Sequence, residues 1–438
     1  MPTTAVKNII LSADDCEKIR KRLPGRTAQL VIESIYTITN LAFDPTSKLL
    51  VDRLILAAAE LKKKAIGNDF SKEAYLDLYC FDAAETLIRA AKQRATNLSL
   101  LTHESQITFD IPSPNVRLYY ESCEYVVDSL LSLFDEKAFK NYYVLFDTVD
   151  GPKFMGLAIK MPSHRLTDPT VYTALSHEAF HIYFTKFHSR LLSSKNISHF
   201  IFSGKLSSIE NEELYRLRLI EEITVECLDF CFTYLYKYRN YMEDEWSFFG
   251  QHFKDSIKSN LDPDRLTGYL LRTFSVLLLY NCVSHREPPS VVISIRPEIR
   301  RLLNQHVEDA KKILMQRHAE FNGPHFYNII HKLQTDLEGL AAELDEIFHS
   351  LNKVVNNFSQ NIDCLKNYSD NPKIKGFIDN IAEGKVLNEH FRYPHLIVNG
   401  LSRAIRHKRD DKNYVSKASN ALVLSLWNSN LIEKRQGK

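Results

Sequence analysis

Glycine is scarce, with 13 in 438 residues, and no G-x-x-x-x-G-K run occurs. Chemistry that cradles phosphate in a glycine loop is therefore not expected. Charge of one sign is also missing. The net value is +2 at pH 7, too small for a whole-protein field that would draw in nucleic acid or a membrane surface. Long apolar runs are absent as well. The most apolar stretch, GYLLRTFSVLLLYNCV (268–283), falls short of the roughly 20 residues a membrane span needs and carries Arg272, so it reads as a buried helix. Residues 1–18 lack the basic-then-apolar order of a secretory leader. The seven cysteines are an odd number without paired ligand spacing. Cys227, Cys231 and Cys282 stand in apolar helical context, which predicts free thiols in a reducing compartment. No Gly-x-Ser-x-Gly elbow is present. The expectation is a cytoplasmic protein with no membrane segment and no nucleic-acid partner.

What is present is ordinary globular composition, 44% hydrophobic and 25% charged, over a length that allows two or three domains. The patterning predicts a mainly α protein with a small β-sheet (α+β), in three consecutive segments. Residues 1–135 read as a helical N-terminal region; LVDRLILAAAELKKKA (50–65) has apolar residues at helical spacing and a lysine run on the exposed side. FDIPSPNVRLYY (109–120) reads as a loop. Residues 136–290 form the expected core. Within it, NYYVLFDTVDGPKFMGLAIKMP (141–162) places two β-type runs around Asp150-Gly151, a hairpin signal. Thr167 or Asp168 as N-cap and Pro169 at the first helical position predict a helix to about residue 187. Further helices are expected over about 209–241 and from Asp262-Pro263 onward.

Residues 291–438 read as a helical C-terminal region. Phe326, Ile330, Leu333, Leu337, Leu340, Leu344, Ile347, Leu351, Val354 and Phe358 alternate by four and three, a heptad seam over 326–358. Such a seam serves either a homodimer or a helix pair within the chain. Beyond residue 380 the chain reads as basic and irregular, with 403–414 a solvated surface element.

The chemistry lies in ALSHEAFHIYF (174–184). On a helix, residues four apart share a face, so His177 and His181 can ligate one metal ion. Glu178, beside them, can reach a metal-bound water, whose pKa zinc lowers toward 7, and act as general base. Ala174, Leu175, Ala179, Phe180, Ile182 and Tyr183 make the flanks uncharged, which predicts a buried helix whose imidazoles need partners. A third ligand is offered by LIEEITVECLDFCF (219–232), where Glu222, Glu226 and Asp229 share a face in an otherwise apolar run.

Together these residues resemble the zincin metallopeptidases of the gluzincin type, which join His-Glu-x-x-His on one helix to a glutamate on a later one. The resemblance covers about residues 141–240. It implies one catalytic Zn²⁺ on His177, His181 and Glu222, with Glu226 orienting a ligand or itself ligating; Glu221 is a further candidate. It also implies an edge strand at Gly156, Leu157 and Ala158, to which a peptide would add by main-chain bonds. The metzincin pattern is not met, because Phe184 and Phe187 stand where its glycine and last histidine would be. The implied activity is hydrolysis of peptide bonds in a restricted set of protein substrates. Two other readings stay open: a non-catalytic metal-binding interaction protein dimerised through 326–358, and a hydrolase acting on something other than peptides.

Overall fold

Proline and short polar side chains open most of the helices where the sequence allows a free backbone N–H. In the computed structural model, the described residues are 4–43, 48–67, 73–102, 116–133, 141–149, 151–166, 168–191, 212–237, 263–315, 324–354, 371–405, 408 and 410–436. The fold is mainly helical with one three-stranded mixed sheet. It divides into two compact units, residues 1–183 with 369–438, and residues 184–368. That division departs from the three consecutive segments read from the sequence, because the last seventy or so residues rejoin the first unit.

The first unit begins with α1 (Thr4–Ile9), α2 (Ala13–Arg22), α3 (Gly25–Phe43), α4 (Lys48–Ile66), α5 (Glu73–Thr102) and α6 (Val116–Leu131). Ser12 and Asp15 form a capping box at α2: Asp15 N–H donates to Ser12 Oγ at 3.1 Å and Ser12 N–H to Asp15 Oδ2 at 3.0 Å. Arg22 closes the other end by donating to the carbonyls of Lys64, Ala65 and Gly67 at the end of α4. Helix α4 meets α1, α2, α3 and α5. Its lysine run is exposed only in part: Lys63 is exposed, Lys64 is buried, and Lys62 pairs with Asp15 at 3.0 Å.

The sheet comprises β1 (Tyr143–Asp147), β2 (Lys153–Met155) and β3 (Ala158–Pro162) in the order β1-β3-β2. Strand β3 is parallel to β1, with Tyr143 opposite Ala158, and antiparallel to β2, with Phe154 opposite Ile159. The expected hairpin is therefore displaced. The turn that joins the antiparallel pair β2 and β3 is Gly156-Leu157, and Asp150 lies outside the described residues. The fully buried β3 takes the middle, as a strand covered on both faces does. Gly156 makes the turn with φ +62°, and a Cβ there would lie 2.6 Å from the backbone of Ala83 in α5.

Side chains from α5 close the outer edge of β1. The Gln93 amide donates to Phe146 O at 2.7 Å and accepts from Phe146 N–H at 3.2 Å, standing in for a neighbouring strand. Arg94, buried, lies 3.5 Å over the Tyr120 ring and 3.6 Å from Glu124, whose carboxyl burial pushes up against the pull of Arg53 and Arg94. Arg53 pairs with Asp128, which also accepts from Tyr142 OH at 2.8 Å.

The C-terminal stretch read as irregular is helical: α14 (Pro372–Ala382), α15 (Pro394–Ala404) and α16 (Lys412–Arg435). Asp411 caps α16 by accepting from Tyr414 N–H at 3.0 Å. Helix α16 packs on α6, where Ser122 Oγ donates to Val423 O at 3.0 Å and Tyr125 OH meets Ser429 Oγ at 2.8 Å.

Helix α7 (Leu175–Leu191) contains the boundary between the units. The second unit then holds α8 (Glu212–Lys237), α9 (Pro263–His285), α10 (Pro289–Ile295), α11 (Pro297–Met315), α12 (Pro324–Thr335) and α13 (Leu337–Val354). Four of these open on proline, whose missing N–H costs nothing at that position. The heptad seam is not one helix. It breaks at Asp336, whose carboxylate accepts from Gly339 N–H at 3.0 Å and so starts α13. Ile330, Leu333, Leu337, Leu340, Leu344, Ile347 and Leu351 are all buried within the chain, with α12 and α13 packed on each other and on α9. The described side chains of the seam are thus covered within the chain, as the internal helix pair expects. The side chains of Phe326 and Val354, and all of Phe358, lie outside the described residues. No helix among the described residues is long and apolar enough to cross a membrane.

Two substitutions test this packing. Gly156→Ala forces a side chain into the left-handed region and onto Ala83, so it should lower stability by at least about 1–2 kcal/mol, read as a fall in melting temperature. Leu340→Ala should cost about 2–5 kcal/mol in denaturant unfolding, and the midpoint should not move with protein concentration. A concentration-dependent midpoint would return the seam to an interface between chains.

Candidate metal centre

The approach to α7 is built as the sequence predicts, with one difference. Asp168 is the N-cap, accepting from Thr170 N–H at 3.0 Å and Thr170 Oγ1 at 2.6 Å, and Pro169 follows. The first turns, Pro169–Ala174, are a tighter 3-10 segment before the α-helix proper starts at Leu175. Arg165 Nη2 lies 3.0 Å from Asp168 Oδ2. Burial works to raise the Asp168 carboxyl, but hydrogen bonds from Thr170 and Arg165 outweigh it and hold the pKa below its ordinary value.

Leu175, Ala179, Phe180, Tyr183 and Phe184 are buried around α7, and so are Glu178 and His181; His177 is half-buried. The helix therefore carries two imidazoles and a carboxylate largely out of water. His177 Nε2 and His181 Nε2 converge to 3.2 Å, with the rings inclined at 72°. A neutral pair meets at this distance through an N–H···N bond. It is also close to the ~3.3 Å that separates two nitrogens on a tetrahedral zinc with Zn–N of about 2.0–2.1 Å.

Strand β2 supports both functional groups of the helix. The Phe154 backbone N–H, on the outer edge of β2, donates to Glu178 Oε2, and the Phe154 ring stacks on His181 at 5.7 Å and 7°. This corrects the edge-strand expectation. Gly156 and Leu157 are the hairpin turn, and Ala158 belongs to the central strand, paired on one side with Tyr143 and on the other with Met155. The edge beside the motif is β2, at Phe154, because the buried run through Ala158 claims the middle of the sheet.

On α8, Glu222 and Glu226 are part-exposed, while Glu221 and Asp229 are buried. Glu222 Oε2 lies 3.0 Å from Arg272 Nη2 of α9, and the same nitrogen pairs with Glu226 Oε1. Glu221 sits 3.5 Å from Arg218. Among the described residues, His177, His181 and Glu222 form a group whose ligand atoms all lie within 4.8 Å of one another. Two imidazoles and one carboxylate are the donor set of several catalytic zinc sites. Glu226 and Asp229 are not in that group. Arg272 was read from the sequence only as a bar to membrane insertion. A lone arginine inside an apolar helix is the signal that it serves nearby acids.

No protein-family model, no curated protein and no solved structure matches the chain.

The cap at Asp168 carries a pH-dependent prediction. Its folded pKa is depressed, so its contribution is present above the unfolded value near 3.8 and fades as pH falls through the folded one. Asp168→Ala should therefore cost about 1 kcal/mol at pH 7, as a lost N-cap does. The gap between the variant and wild type in denaturant midpoint should shrink in acid.

Proposed function

We propose that the chain is a zinc-dependent metallopeptidase that hydrolyses peptide bonds in a restricted set of protein substrates. The observation that carries the reading is the convergence of His177 and His181 Nε2 to 3.2 Å beside a buried Glu178 on the same helix. The donor set is completed by Glu222. The zincin resemblance of His-Glu-x-x-His followed by a helical glutamate supports the same assignment.

In this reading His177, His181 and Glu222 hold the ion. A bound zinc polarises a carbonyl and lowers the pKa of its water toward 7. Glu178 is the general base, taking the water's proton and delivering it to the leaving amine. The Phe154 N–H fixes one oxygen of Glu178, so the carboxylate is oriented before substrate arrives. An extended peptide is the substrate form that suits the outer edge of β2, where main-chain bonding is the natural contact. The six described cysteines are buried and form no disulfide with one another. Burial raises the Cys80 thiol to about 12 and pushes Cys123 and Cys282 up as well, so these thiols are structural and not nucleophiles.

The test is elemental analysis of the purified chain with three variants. Wild type should hold one zinc per chain, and His177→Ala and His181→Ala should lose it. Glu178→Gln should keep the zinc while peptide hydrolysis falls by about 10²–10⁴-fold. Comparing new protein N-termini in cells expressing wild type and Glu178→Gln should then show a few cleaved proteins that only wild type produces. Wild-type protein without zinc under these conditions would sink the reading; broad cleavage of unrelated unfolded proteins would remove its restricted-substrate part.

A further inference from the structure

The second unit holds an arginine that the metallopeptidase reading does not use. Arg272 lies in the middle of an apolar stretch of α9, between Leu270 and Leu271 on one side and Phe274 on the other, all buried. A guanidinium in that setting needs anionic partners. Glu222 Oε2 at 3.0 Å and Glu226 Oε1 are among them, both reached by Nη2. That nitrogen carries two N–H bonds, one for each carboxylate.

Glu222 and Glu226 are four apart on one helix, where like charges repel. Arg272 between them removes the repulsion and fixes where each carboxylate points. Glu226 makes its contact with Arg272 through Oε1, while Oε2 is buried with no hydrogen-bond partner. Its one polar attachment on that face is the arginine. Glu222 differs, because its ligand atom is grouped with those of His177 and His181, and a carboxylate with about four acceptor sites can pair with Arg272 and also ligate.

We propose that Arg272 is a positioning residue for the metal site: Glu226 anchors it, and it orients Glu222 as the third ligand. The proposal rests on the metallopeptidase reading and deepens it. It assigns Glu226 to holding the arginine, not to the metal or to a histidine. Arginine suits the place where lysine does not, because its planar fork sets direction as well as charge. Groups that orient metal ligands in this way typically alter affinity by 10–100-fold.

The experiment is zinc affinity, measured by competition with a chromogenic chelator, alongside circular dichroism to verify the fold. Arg272→Met should weaken zinc binding about tenfold or more, and Arg272→Lys should recover part of the loss. Glu226→Gln should weaken binding too, and adding it to Arg272→Met should cost little further, because it acts through the arginine. Wild-type affinity in Arg272→Met, or full additivity in the double variant, would overturn the proposal while leaving the metallopeptidase reading intact. If Arg272→Met does not fold, Arg272→Lys and Glu226→Gln decide, and wild-type affinity in both overturns it. A wild-type chain that binds no zinc overturns both.

Discussion

A carboxylate or an imidazole removed from water must find a partner, and helix α7 removes one carboxylate and one imidazole almost completely. The arrangement around it follows from that demand. Glu178 takes the Phe154 N–H, an edge-strand donor that would otherwise point at nothing in the sheet. His181 is stacked against the same phenylalanine and faces His177. Strand β2 thus places one outer N–H against the polar side of the helix. The position of β2 depends in turn on the Gly156 turn, seated where only a residue without Cβ can approach Ala83.

The same demand shapes the rest of the chain. Side chains meet the outer backbone of both edge strands: Gln93 and Arg94 at β1, and Glu178 at the Phe154 N–H of β2. Glu124 is kept beside Arg53 and Arg94, and Asp128 beside Arg53 and Tyr142, so every acid in this buried group has a cation within reach. Such pairs say little about net stability, since desolvation offsets attraction, but losing one partner leaves a costly buried charge. Arg272 with Glu222 and Glu226 repeats the pattern in the second unit.

Much of this was legible in order along the chain. The mainly helical class, the Asp168-Pro169 helix start, the helices of 212–237 and 263–285 and the buried motif helix all follow from local signals, because caps, prolines and apolar spacing act within a few residues. Spacing marks His177 and His181, and the zincin resemblance singles out Glu222 among the acids of 219–232; the ligand atoms of the three lie within 4.8 Å of one another. Misreadings came where two local signals competed. Asp150-Gly151 and Gly156 both mark turns, and the choice between them depended on which strand the core would bury. The seam of 326–358 has the period of a coiled coil, yet period does not say whether the covering helix belongs to the same chain.

By itself the sequence determined where helices begin, which residues are candidates for metal binding and proton transfer, and that the motif helix would be buried. These depend on spacing and on the nature of each side chain, which neighbours along the chain already specify. Only the tertiary structure decided that β3 lies between β1 and β2, that Phe154 holds Glu178, and that the seam closes inside the chain. It also paired Arg272 with Glu222 and Glu226 across 46–50 positions of sequence. Each of these is a choice of partner for a buried polar group or an apolar face, and partners far apart in sequence are selected by the packing of the whole unit.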